Sequence, residues 1–215
     1  MNEKEKLRIE RATVTITKKG GLGVLVGGGL IITAAHCIDF NCEGGMVLGD
    51  YYLEEFETSE GEKYRVRPLI VESVCDIAVL GSLNDQEFTE ESWRFYEFCE
   101  KTEAVLICFN ELKIGEKTPL WIFNQDWRFI SGYGSIFGGN SPMLWVNADE
   151  LILGGSSGGP IINNRGELVG IVSHGAYTGE EGAQDQRIEP FQAPRPNLAL
   201  PAWIYPIISG EDNWR

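Results

Sequence analysis

Several things are scarce or missing in this 215-residue sequence, and each absence excludes something. No apolar run approaches the ~18 residues that a membrane-spanning helix requires. The first six residues, Met1 to Lys6, are charged and lack the apolar core of an export signal. Basic residues are few: 18 Lys and Arg stand against 32 Asp and Glu, a formal charge of −14 with no basic stretch. Nucleic acid and anionic membrane surfaces are therefore not expected partners. Five cysteines (Cys37, Cys42, Cys75, Cys99, Cys108) form an odd set without an export signal, which implies reduced thiols and a cytoplasmic location. The glycine runs do not end in Gly-Lys-Ser/Thr, so they are not a phosphate-binding loop. His36, Cys37 and Cys42 lack the second ligand pair of a structural zinc site, and no cofactor is expected. With only two histidines, any serine-activating base is His36 or His174.

Glycine and short apolar runs are abundant instead. The 26 glycines punctuate segments of strand character: residues 11–17, 22–26, 30–33, 45–48, 64–71, 76–80, 104–109, 120–123, 127–130, 133–137, 143–146, 160–162, 168–172 and 198–200. In the first, Ala12, Val14 and Ile16 share a face. Residues 54–62 are acidic and read as a solvated hairpin tip. Residues 84–101 break this rhythm with a helical pattern, with Asn84 and Glu87 at capping-box spacing and Phe88, Trp93, Phe95, Tyr96 and Phe98 along it. A short closing helix is expected over 201–208, with Pro201 near its start. Many short strands with glycine turns make a sandwich or a pair of barrels in one domain.

The densest glycine run is Gly154-Gly155-Ser156-Ser157-Gly158-Gly159-Pro160. Glycine at that density serves positive φ or close backbone approach. A serine inside it has an exposed hydroxyl with N–H groups able to converge beside it, which is what acyl transfer needs. The run also fits the nucleophile elbow of α/β-hydrolases, but there the acid and the histidine follow the serine. Here only His174 follows. The order His36, Asp76, Ser157, at separations of 40 and 81 residues, is the one that fits. Asp39 and Asp50 are weaker acids because neither opens an apolar strand run, and Ser156 precedes the Ser-Gly-Gly-Pro motif.

Three motifs in that order, Thr33-Ala34-Ala35-His36-Cys37, Asp76-Ile77-Ala78-Val79-Leu80 and Gly155-Ser156-Ser157-Gly158-Gly159-Pro160, resemble those of the chymotrypsin-like serine proteases. The segment from Gly132 to Asp149 and the ending Asn197-Leu198-Ala199-Leu200-Pro201 are similar to the HtrA/Deg-type branch, without its separate peptide-binding domain. The resemblance implies an all-β fold of two six-stranded antiparallel β-barrels, with a short helical insertion and a C-terminal helix. The first barrel would span about 8–82, the insertion 84–102, the second barrel 103–200 and the last helix 201–208. It implies a serine endopeptidase acting on protein or peptide substrates. Ser157 would attack the carbonyl, His36 would move the proton and Asp76 would orient the imidazole. The N–H groups of Gly155 and Ser157 would form the oxyanion hole.

The same resemblance makes Leu151, Ile152, Leu153 and Gly154 the primary pocket wall and Ser173, His174 and Gly175 the edge that binds substrate backbone. An apolar pocket favours an uncharged residue before the scissile bond. Glu180, Glu181, Asp185 and Glu189, on the next pocket-forming segment, make a basic preference the runner-up. Trypsins place an aspartate where Ser156 stands, and a freed N-terminus pairs with it. Its absence implies control by loop ordering or by a partner instead of a zymogen cut. A regulatory protein docking on the 84–101 helix, in a bacterial stress or defence setting, is one expectation. A catalytically silent binding module on a protease scaffold is the competing class.

Overall fold

The computed structural model describes residues 1–38, 53–72, 76–108, 116–137, 143–150, 152–173 and 196–199. Within them the chain is mostly β, with two α-helices. It opens on a helix, α1 (Glu3–Ala12), where the sequence reading led the charged terminus straight into a strand. The reason is local. The Asn2 side chain accepts from Glu5 N (2.9 Å) while Glu5 returns its carboxylate to Asn2 N (3.0 Å), a complete capping box. Ile9 and Ala12 on this helix are fully buried, so Ala12 serves the helix and not the first strand.

Six strands follow: β1 (Thr13–Ile16), β2 (Leu22–Val26), β3 (Leu30–Ala34), β4 (Glu54–Thr58), β5 (Lys63–Glu72) and β6 (Ile77–Gly81). They close into a barrel in the order β1-β2-β3-β6-β5-β4. Val14, Ile16, Val24, Ile32, Phe56, Val66, Ile77 and Val79 are buried in its core. The acidic stretch read as a solvated tip supplies a barrel strand. In β4, Glu54, Phe56 and Thr58 point inward and are buried, so only residues 59–62 make the turn.

The helix α2 (Thr89–Lys101) begins five residues after Asn84, and its N-cap Phe88 makes no side-chain cap. Asn84 instead accepts from Gln86 N (2.9 Å) inside a preceding turn, so the capping box expected at Asn84 and Glu87 does not form. Phe95 and Phe98 pack on Phe56 of the barrel, with ring centroids 6.1 and 5.3 Å away. Residues 104–108 make isolated bridges and no strand: Val105 pairs with Val26 of the first barrel and Ile107 with Leu168 of the second sheet.

The second sheet comprises β7 (Thr118–Phe123), β8 (Phe129–Phe137), β9 (Met143–Ala148), β10 (Pro160–Asn163), β11 (Leu168–Ile171) and β12 (Pro196–Ala199). Its antiparallel pairings run β10-β11-β12-β9-β8-β7, and β7 pairs again with β10. Residues 127–130 and 133–137, read as two strands, fall into one because Gly132 and Gly134 lie inside β8. A side chain at Gly134 would collide with Leu120 and Leu144, so glycine here permits close packing and marks no break. The strand expected at 45–48 and the helix at 201–208 lie outside the described residues.

Candidate active site

β3 ends in a single 3₁₀ turn, Ala35–Cys37, which lifts His36 out of the barrel wall. The neighbouring strand β6 starts immediately after Asp76, in register with the end of β3 through the pair Ala34 and Ile77. Adjacent strands therefore bring the two residues together although 40 positions separate them. Asp76 adopts a left-handed backbone conformation (φ 50°), rare for a residue with a side chain. Three bonds compensate for it. Ala35 N donates to the Asp76 carbonyl (2.9 Å), His36 N donates to Asp76 Oδ1 (3.0 Å), and His36 Nδ1 donates to Oδ2 (2.8 Å).

A fourth bond arrives from the other sheet. Ser173, just beyond β11, donates its hydroxyl to Asp76 Oδ2 (2.6 Å). Burial alone would raise the Asp76 carboxyl, but the hydrogen bonds from His36 and Ser173 outweigh it and hold the pKa below its ordinary value. The same carboxylate pushes His36 up to about 10, with Cys37 contributing in the same direction. Sequence reading gave Ser173 to the substrate-facing edge and missed its hydroxyl. That contact depends on the docking of two sheets, which no local pattern encodes.

Ser157 lies in the loop between β9 and β10, and its hydroxyl donates a long bond (3.5 Å) to the Ser173 carbonyl. Ser173 therefore touches Asp76 with its side chain and Ser157 with its main chain. Among the described residues, no hydrogen bond joins the Ser157 hydroxyl to the His36 ring. Such contacts are often loose without substrate and tighten in the complex. The C-terminal half of the loop is pinned on both sides. Leu22 N donates to the Ser157 carbonyl (2.6 Å), Gly158 N to the Val172 carbonyl (2.6 Å), and Val172 N to the Gly159 carbonyl (2.9 Å). Gly158 (φ 79°) has no room for a side chain, which would run into the Leu22 carbonyl and the Thr33 hydroxyl.

The N-terminal half leans on the β7–β8 turn, residues 124–128. Ser156 is fully buried, and its hydroxyl accepts from Gln125 N (3.2 Å). A buried hydroxyl is no rival nucleophile. Among the described residues, the N–H groups of Gly155 and Ser157 make no backbone–backbone hydrogen bond. Ile152 packs against the second-sheet core, Leu153 is half-buried and Gly154 is exposed. Leu151, His174 and Gly175 lie outside the described residues, as do Asp39, Asp50, Cys42 and the acidic segment containing Glu180, Glu181, Asp185 and Glu189. Among the described residues, Cys37, Cys99 and Cys108 are not joined to one another by disulfides, and Arg165 donates to Cys108 Sγ (3.7 Å).

A closed barrel and a second six-stranded sheet, joined through the bond from Ser173 to the Asp76 carboxylate, fit the trypsin-like fold. Residues 21–171 match the family described as the Trypsin-like peptidase domain, and the chain belongs to that family. It is also similar to Protease Do-like 2, chloroplastic, of Arabidopsis thaliana, at 26% identity over 163 residues. That match covers 75% of this chain and 24% of the plant protein, and it supports kinship with the HtrA/Deg-type proteases.

Proposed function

We propose that the protein is a serine endopeptidase using His36, Asp76 and Ser157, built on two barrels of which the β7–β12 sheet is the second. The observation that carries this reading is the Asp76 carboxylate, bonded at once to His36 Nδ1 and to Ser173 Oγ beside Ser157. Holding Nδ1–H on Asp76 leaves Nε2 as the nitrogen that takes the Ser157 proton. Ser157 Oγ then attacks the substrate carbonyl, and the Gly155 and Ser157 N–H groups receive the developing negative charge. Collapse of the tetrahedral species expels the amine, which takes its proton from His36 and leaves an acyl-Ser157 ester. Water repeats the sequence to release the acid.

The primary pocket, in this reading, is walled by Leu151, Ile152, Leu153 and Gly154 and takes an uncharged residue before the scissile bond. His174 and Gly175 continue the substrate edge begun at Ser173. The location is cytoplasmic, and control rests on loop order or on a partner. Trp93 (66% exposed) and Tyr96 (49%), exposed aromatics on α2, support a protein partner docking on that helix.

Fluorophosphonate labelling tests the core of the proposal. Intact protein should label at Ser157, and Ser157→Ala should neither label nor cleave a denatured proteome. Cleavage that survives Ser157→Ala, or a wild type that never labels, overturns the reading. Cleavage sites mostly after Arg or Lys would overturn the uncharged-pocket assignment alone.

A further inference from the structure

We propose that Gln125 is a positioning residue for the oxyanion loop, holding Gly155 so that the N–H of the Gly154–Gly155 peptide points into the site. The inference rests on the reading that Gly155 and Ser157 supply the oxyanion donors. It goes beyond that reading by naming what keeps the first donor in place.

A run such as Gly154-Gly155-Ser156 has wide backbone freedom, and a freely turning peptide is not a preorganised donor. The Ser157 side of the loop is fixed by its bonds to Leu22 and Val172. Among the described residues, the Gly155 side has two internal main-chain bonds, Ser156 N to the Leu153 carbonyl (3.2 Å) and Gly159 N to the Ser156 carbonyl (2.9 Å). Neither engages Gly155 itself, and Gly154 has open space where a side chain would stand. Gln125 completes the restraint in two ways. Its main-chain N–H donates to the buried hydroxyl of Ser156 (3.2 Å). Its side-chain amide lies on Gly155, so that the three atoms nearest a hypothetical Gly155 methyl all belong to Gln125. Gly155 has φ 91°, and the Gln125 side chain occupies the side of its Cα where a Cβ would stand, which limits how far the residue can shift on that side.

Gln125 is itself held firmly. In the turn carrying it, Asn124 Oδ1 accepts from Asp126 N (3.1 Å) and Arg128 N (3.4 Å), and Asn124 N donates to the Arg128 carbonyl (3.1 Å). Arg128 then pairs with Glu150 (2.6 Å), on the segment that leads into the loop. Ser131 and Asp149 join the same two segments by a side-chain bond and by Asp149 N to the Ser131 carbonyl (2.8 Å). The turn and the loop entry thus form one braced unit with Gln125 at its tip.

Three variants separate positioning from mere structure. Gln125→Ala removes the amide cover and keeps the N–H. Ser156→Ala removes the acceptor, and Ser156→Thr keeps it. The readouts are the rate of fluorophosphonate labelling, kcat and KM on a peptide ester, affinity for a peptide boronate that mimics the tetrahedral oxyanion, and the melting temperature. Gln125→Ala and Ser156→Ala should each lower labelling and boronate affinity about tenfold, a fraction of one donor's worth, with KM and melting temperature held. Ser156→Thr should recover most of the loss. Wild-type labelling by both alanine variants overturns the proposal, as does a loss that follows KM or melting temperature. A wild type that leaves Ser157 unlabelled overturns the active-site reading and this inference with it.

Discussion

His36 answers two demands that pull against each other. Asp76 orients its ring, yet the same carboxylate favours the imidazolium and pushes its pKa to about 10. A general base must be neutral, so under the proposed mechanism only a minor fraction of the resting site is competent at pH 7. The kcat/KM profile on an ester substrate should therefore keep rising above pH 7.5 instead of levelling there. Asp76→Asn should return the limb toward the ordinary imidazole value and lower kcat by about 10⁴. A plateau at pH 7 in the wild type would contradict this. Stability follows the opposite sign. The raised His36 pKa contributes in full below pH 6.5 and its contribution is lost as pH climbs through about 10. The lowered Asp76 pKa contributes above its ordinary 3.8 and is lost on acidification, so the pair favours the folded state most between those limits. A pH series of urea melts, comparing wild type with Asp76→Asn, reads that window. Gly158 gives a sharper test. With φ 79° and the Leu22 carbonyl against it, Gly158→Ala should abolish fluorophosphonate labelling even where folded protein is recovered.

Among the elements, the N-terminal helix reaches both the first barrel and the second sheet. Its Ile9 is buried in the first-barrel core, and Arg8 donates to the Gly166 carbonyl (2.9 Å) in the β10–β11 turn of the other sheet. Ile9→Ala should cost about 2–5 kcal/mol in chemical denaturation. Leu7→Ala, on the exposed side of the same helix, should stay within about 0.5 kcal/mol. A similar loss for both would mean that α1 packs loosely. This helix also shows where sequence reading stops. Asn2 and Glu5 have the spacing of Asn84 and Glu87, and only the first pair caps a helix. What separates them is tertiary: Ile9 and Ala12 have a core to enter, whereas Asn84 lies in a turn that α2 leaves behind. The alternation of Glu54, Phe56 and Thr58 was legible but was masked by acidic composition. The three motifs proposed to carry catalysis were legible because each is local, tied to a strand end or a tight glycine loop. Ser173 and Gln125 were not, since their meaning depends on which turn docks against which loop.

At the scale of the whole molecule, charge and sheet docking set the behaviour. A protein of net charge −14 draws cationic peptides toward it and repels acidic ones at long range. The kcat/KM for a lysine-rich peptide with an uncharged cleavage residue should fall as salt rises from 20 to about 500 mM, while a neutral analogue holds steady. Equal salt responses would show that steering plays no part.

The bond from Leu22 N to the Ser157 carbonyl has a consequence for how the protein is born. A ribosome delivers His36 and Asp76 first, and Ser157 only some eighty residues later. Even then the loop holding the serine is unfinished until the first barrel's second strand takes hold of it. Under the proposed triad, the site is complete only once both sheets are in place, and neither half of the molecule carries it alone.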